Sequence, residues 1–241
     1  MISLVQSRSL SHTLQARARQ TADRLASCPF YSRLLAGEVD RDEYAAWLVQ
    51  MHKYVRYSER LIQQVAEVTS AEGSEEEREL HAYAVREARE EAHHDDLILV
   101  DLSRLWGISR TEARGRIEET PTAPAVLTYS RLRDVFMTRH AKAAVGAAVA
   151  LETISALHAD AIRAGLLANS RIEGIQRATT FLKAHRAEVE QDHCESAAER
   201  IERLEDPHLR SAVFTLGTLV LNMYEGIAFF LAETHPAGRA Q

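Results

Sequence analysis

Where this chain can stop being helical constrains its fold more than anything else in the sequence. Glycine and proline number only ten and five in 241 residues. They fall between segments whose apolar residues recur at helical spacing, and no run alternates as a strand would. The chain is therefore expected to be all-α. A first helix is expected from Ser9 to Ser27, and a short one after Pro29 ending at Gly37. Asp40 can cap the next, with Glu43 as its capping-box partner. Its inward stripe reads Tyr44, Trp47, Leu48, Met51, Tyr54, Val55, Leu61 and Val65. A long helix from Ser74 should stop at Gly107, and Ser109 can cap a short successor. Pro121 to Pro124 (PTAP) is a break. Two helical stretches then reach Ser170, with Gly146 as a kink, and another helix spans Arg171 to Leu204. The last runs to Thr234. A single domain over 1–241, a compact bundle of about seven or eight helices, accounts for this pattern.

Composition narrows the function. Hydrophobic residues at 46% and charged residues at 27% are those of a globular protein. A formal charge of -6, with arginines interleaved among Glu and Asp, offers no basic stripe for nucleic acid. The two cysteines, Cys28 and Cys194, form neither a CxxC pair nor a disulfide framework. The first residues carry no signal-peptide pattern, and Glu152 and Glu225 interrupt the most apolar stretches. A cytoplasmic protein with no membrane partner is expected.

The chemistry lies in polar residues where a core helix should be apolar. In the helix from Ser74, the stripe of Leu80, Tyr83, Ala84, Ile98, Leu102 and Leu105 continues through Glu87, Glu91, His94 and Asp101. Glu91 and His94 are three apart, so one helix face can carry both. Glu90, His93 and Asp96 read as a solvated face. In AAVGAAVALETISAL, Ala143 to Leu157, Glu152 is the lone charge. An unpaired carboxylate there costs several kcal/mol, so it is paired with a buried Arg or Lys, protonated, or bound to a metal. In FLKAHRAEVEQDH, His185, Val189 and His193 share a broad face flanked by Glu188, Glu190 and Asp192. Mixed imidazole and carboxylate ligands suit iron or manganese.

CPFYSRLLAGEVDRDEYAAWLVQMHKYVRYSERLI resembles the opening of the heme-oxygenase-like superfamily, which includes heme oxygenases, TenA thiaminases, PqqC-type oxidases and di-iron oxidases and oxygenases. EEAHHDDLILVDLSRLWG resembles the di-iron branch. That resemblance implies Glu91 and His94 as metal ligands and Glu152 as a bridging carboxylate. On the last ligand helix it implies His193 and, three residues earlier, Glu190. Its first histidine falls on Arg186, with His185 one residue early. A bulge would bring His185 into the site; Asp192 is the carboxylate to consider otherwise, and Glu188 stays open beside Glu190. The implied function is a non-heme di-iron oxidase or oxygenase holding two Fe2+ per chain. It would use O2, with an external electron donor, to oxidise a small metabolite bearing an amine or carboxylate by desaturation, N-oxygenation or oxidative C–C cleavage. Tyr54, Tyr57 and Arg60, or Tyr224, are candidates to line the substrate pocket, and a homodimer is expected. A heme oxygenase would need its proximal histidine where Ala22 stands, and a TenA-type nucleophile is not convincingly placed at Cys28 or Cys194. A metal-independent PqqC-like oxidase and a non-catalytic helical ligand- or partner-binding protein are the alternatives.

Overall fold

The computed structural model describes residues 9–168 and 171–236, and all of its regular structure is helical. The order is α1 (Leu10–Ser27), α2 (Pro29–Ala36), α3 (Arg41–Val55), α4 (Ser58–Glu67), α5 (Glu75–Glu90), α6 (His94–Trp106), α7 (Arg110–Glu119) and α8 (Pro124–His140). After a 3-10 turn over Ala141–Ala143 follow α9 (Ala144–Ala168), α10 (Thr180–Ala184), α11 (Ala187–Glu202) and α12 (Pro207–Thr234). The caps explain many of these starts. Ser9, Asp40, Ser74, Ser109 and Asp206 each accept a hydrogen bond from a backbone N–H of the helix they open, and Asp40 with Glu43 closes the expected capping box.

The structure departs from the expected segmentation where no breaker marks the chain. The helix expected to run through Val65 bends at Arg56 and Tyr57, dividing α3 from α4. The helix expected from Ser74 to Gly107 is interrupted after Glu90, where His93 adopts a left-handed φ of 69°. The one expected over Arg171–Leu204 gives way to turns and to α10 and α11, separated at His185 and Arg186. Ser170, the end expected for the preceding stretch, lies outside the described residues.

Helix α9 is the centre of the bundle and packs against α1, α2, α11 and α12. Both α12 and the stretch from α8 through α9 are long and apolar enough to cross a membrane. Their apolar residues instead build the core of the bundle, among them Val145, Val149, Ile154, Leu216, Val220 and Ile227.

Gly146 is no kink but a point of contact. A Cβ there would lie 2.2 Å from the Val213 carbonyl oxygen, and one at Gly217 would lie 2.7 Å from the Gly146 carbonyl. The two helix backbones touch because neither residue has a side chain. Helix propensity alone says that Gly146→Ala stabilises by about 0.5–1 kcal/mol. The contact says the opposite, because backbone cannot move aside as a flexible side chain can, and overpacking costs about 1–3 kcal/mol. Gly146→Ala is expected to lower the urea midpoint; a midpoint at or above wild type would mean that the helices separate freely.

The PTAP break is tied to α3. The Lys53 ammonium donates to the Thr120 carbonyl and the Thr122 hydroxyl, while Gln50 donates to the Pro121 carbonyl and accepts from the Ala123 N–H. These bonds satisfy an irregular, partly buried backbone and pin the start of α8.

Candidate metal centre

Three segments bring their acidic and imidazole side chains against α9. Glu87 projects from α5, Glu91 caps its C-terminus, and His94 opens α6. Glu152 comes from α9, His185 from the gap between α10 and α11, and Glu190 and His193 from α11. Glu91, His94 and His185 each offer a donor atom within 4.8 Å of the others, and so do Glu87, Glu152 and His193. Glu190 is buried and lines the same cavity as Glu87, Glu91, Glu152 and His185.

The local breaks matter to this arrangement. Glu91 and His94 meet across the turn at His93 rather than along one helix face, with His94 Nδ1 3.3 Å from Glu91 Oε1. The His94 and His185 rings stand edge to face, centroids 4.8 Å apart. His185 is admitted by the end of α10 rather than by a bulge within a continuous helix. Asp101 fixes the start of α10, accepting from the N–H groups of Thr180 and Phe181 at 2.9 Å each. Its place on the inward stripe is therefore structural. Among the flanking acids, Glu188 and Asp192 are exposed and Glu190 is buried, so only Glu190 faces the site; Arg186 points to solvent.

The electrostatics are those of crowded, poorly compensated carboxylates. Glu152 makes no ion pair among the described residues, and its Oε2 is buried without a partner. Burial first, then Glu190 and Glu87, raise its pKa well above the usual carboxylate range. Burial, Glu91 and Glu87 push Glu190 up to about 8. Glu87 is also raised by burial, although Arg86 donates to it at 2.7 Å. The histidines complement this set. His185 Nδ1 lies 2.9 Å from the Phe181 carbonyl, which can only accept, so Nδ1 carries the proton and Nε2 keeps its lone pair. Burial, then His94, holds His185 neutral, with a pKa of about 4. For His94 burial lowers the pKa, but contact with Glu91 outweighs it and the net shift is upward. His193 Nε2 lies 3.0 Å from Glu90 at the outer rim. Tyr83 is buried beside Glu152 and Glu87 with its hydroxyl unpartnered, and burial keeps that hydroxyl protonated.

A divalent cation would relieve each of these tensions. It would neutralise the repelling carboxylates, take up the free oxygen of Glu152, and use an imidazole whose second nitrogen is already oriented by a carbonyl. The residues fit an iron- or manganese-type site of mixed oxygen and nitrogen donors.

Without metal, stability should follow the carboxyl protons. The Glu190 pKa of about 8 in the folded state lies above its unfolded value of about 4.3. The folded protein then holds a proton that the unfolded chain loses across that interval. Stability from this group is full below about pH 4 and falls as pH rises toward 8, by at most about 1.4 kcal/mol per pH unit. Glu190→Gln should flatten that decline relative to wild type in urea titrations of metal-free protein. Parallel profiles would show Glu190 ionised in the folded state.

The cavity has an empty volume of about 940 Å3, part of it open to solvent. Tyr54 lines it, as expected, and shares a 2.6 Å hydroxyl–hydroxyl hydrogen bond with Tyr224, which also lines it. Two other expected lining residues do not. The Tyr57 ring is covered by the Arg133 and Arg56 guanidinium groups, and Arg60 pairs with Glu67 at the surface. Neither cysteine lines the cavity; Cys194 sits against Thr153 and Gln15, and Cys28 faces the Ala228 carbonyl. Ala22 is buried in α1 and offers no ligand to a heme.

A family model described as TENA/THI-4/PQQC matches residues 15–234 of the chain. Among solved structures, a domain of unknown function with a heme oxygenase-like fold from Shewanella denitrificans OS217 superposes with a TM-score of 0.75. It is 16% identical, over 97% of this chain and 94% of that one. A TenA homolog from Pseudomonas syringae pv. tomato DC3000 superposes with a TM-score of 0.70, also at 16% identity, over 95% and 94%. No curated protein matches the chain. The all-helical bundle is thus a heme-oxygenase-like fold.

Proposed function

Because this chain belongs to the TENA/THI-4/PQQC family, whose members are typically enzymes, we propose that it is a non-heme di-iron oxidase or oxygenase acting on a small organic molecule. The observation that carries this reading is the pair of three-donor clusters, one of them built on an α9 carboxylate that has no cationic partner among the described residues. Glu91, His94 and His185 would hold one ion, and Glu87, Glu152 and His193 the other. Glu190, buried and lining the same cavity, would complete the carboxylate set.

Bound iron supplies the reduction of dioxygen, with electrons from an external donor. The chain's own residues do the rest. Glu152, fixed on the central helix, presents its carboxylate together with Glu87 and His193. The Phe181 carbonyl keeps the His185 proton on Nδ1. The Tyr83 hydroxyl, protonated and unpartnered, can donate into the cavity beside Glu152. Ala147, Leu151, Ile154 and Phe181 exclude water from one wall, which strengthens every polar contact inside. Anaerobic loading with ferrous iron followed by metal analysis tests the reading; iron near zero after loading would favour a metal-free enzyme with the same polar pocket.

A further inference from the structure

The cavity beside the carboxylates is long and two-sided. Its wall on α9 extends from Ala144 to Ile162, about 27 Å at the helical rise, with Glu152 near the middle. Helix α4 covers the Ala144 end, and apart from Ser58 that arm is apolar: Leu61, Ile62, Ala144 and Ala148. The other arm lies toward α2 and α10, where Ala187 of the α10–α11 junction meets Asp160 of α9. Its wall is aromatic and polar. The Tyr31 ring stands 5.4 Å from His158, and Trp47 stands 6.4 Å from Phe181. Two buried atoms here have no partner: Trp47 Nε1, a donor, and His158 Nδ1.

Charge discriminates between ligands. No Lys or Arg is among the described residues that line the cavity, so a bound carboxylate would find no counter-ion on the protein. Two divalent ions would be balanced by the four carboxylates of Glu87, Glu91, Glu152 and Glu190, leaving no excess charge of either sign. An ammonium group has no lone pair, so it leaves the buried Trp47 N–H without an acceptor.

We propose that this cavity takes an elongated, uncharged molecule, with an apolar chain in the α4-side arm and a neutral hydrogen-bonding head, a hydroxyl or amide, in the arm of Trp47 and His158. Such a ligand accepts from the Trp47 N–H and satisfies His158, and it lays the middle of its chain against the carboxylate cluster. It replaces the amine- or carboxylate-bearing metabolite expected from sequence. That this molecule is the substrate rests on the oxidase reading; that it binds does not.

Calorimetric titration of the metal-free protein with decanol, decanoate and decylammonium tests the proposal. Decanol should bind about tenfold or more tightly than either ion, since decanoate finds no counter-ion in the lining and decylammonium cannot accept from the Trp47 N–H. Trp47→Phe keeps the aromatic wall but removes the donor, and should weaken decanol about three- to tenfold. Leu61→Trp fills the apolar arm and should weaken decanol while leaving butanol unchanged; its melting curve checks the fold. Equal or tighter binding of either ion overturns the proposal, as does binding of none of the three or indifference to both substitutions. Iron uptake by a portion of the same preparation, loaded anaerobically, keeps the two readings apart. Protein that selects decanol but takes up no iron would sink the metal centre alone, and protein that takes up iron but selects decanoate would sink the ligand class alone.

Discussion

Metal-free Glu152→Ala is expected to unfold at the same urea concentration as wild type or a higher one, and to retain almost none of the iron that wild type takes up. The first half follows from the missing counter-ion. Removing a buried carboxyl that has no ion pair among the described residues relieves its desolvation and strands no cation. Loss of the side chain's packing offsets part of that gain. Had Glu152 been one half of a buried salt bridge, its removal would strand a cation and cost about 3–5 kcal/mol. The two cases differ in sign, so paired urea titrations with metal analysis decide between them. An apo variant destabilised by several kcal/mol would make the carboxylate structural and take away the central ligand.

Ferrous iron added anaerobically is expected to raise the melting temperature of the wild-type chain by about 5–10 °C, and a chelator to reverse the shift. A ligand at about a hundredfold its dissociation constant stabilises the state that binds it by about 2.7 kcal/mol, and each kcal/mol moves the midpoint of a chain this size by about 2–4 °C. The donor clusters exist only when α5, α6, α9, α10 and α11 are assembled, so the unfolded chain would have no comparable affinity. Calorimetry with and without iron measures the shift directly. An unchanged midpoint, with iron recovered entirely in the flow-through, would rule out the metal centre.

Much of this could be read from the sequence because helices advertise their ends. Asp40 with Glu43 and Ser109 with Glu112 carry cap signals that depend on residues three apart, and both capping boxes are formed. Glu152 was legible for a similar reason: a lone charge in an alanine-rich helix has few physical excuses. The break after Glu90 left no such mark. Its left-handed residue is His93, not glycine or asparagine, so nothing in the composition distinguishes it from a surface histidine within a helix. Read as one continuous helix, the segment pairs Glu91 with His94 and leaves Glu87 as one more polar residue on the inward stripe. Broken, it sends Glu87 to one donor cluster and the pair to the other. The placement of His185 was obscured in the same way, since the short helix before it is started by a carboxylate on another helix, Asp101. Arg60 shows the converse. It reads beside Tyr54 as a pocket candidate, but beyond the bend at Arg56 and Tyr57 it pairs with Glu67 at the surface.

The two clusters differ in what holds their donors, and on the di-iron reading this gives the centre an order of filling. Glu87, Glu152 and His193 stand within continuous helices whose side-chain directions are set before any ion arrives. Glu91, His94 and His185 all belong to chain ends: the last turn of one helix, the first residue of the next, and a gap between two more. Donors at helix ends lose more freedom when they are fixed than donors within a helix. The first position would therefore be the tighter one, and the second would fill only as free ferrous ion becomes plentiful. Occupancy of the second position would then be a matter of supply, so that the same polypeptide is dormant in iron-poor cells and competent in iron-rich ones.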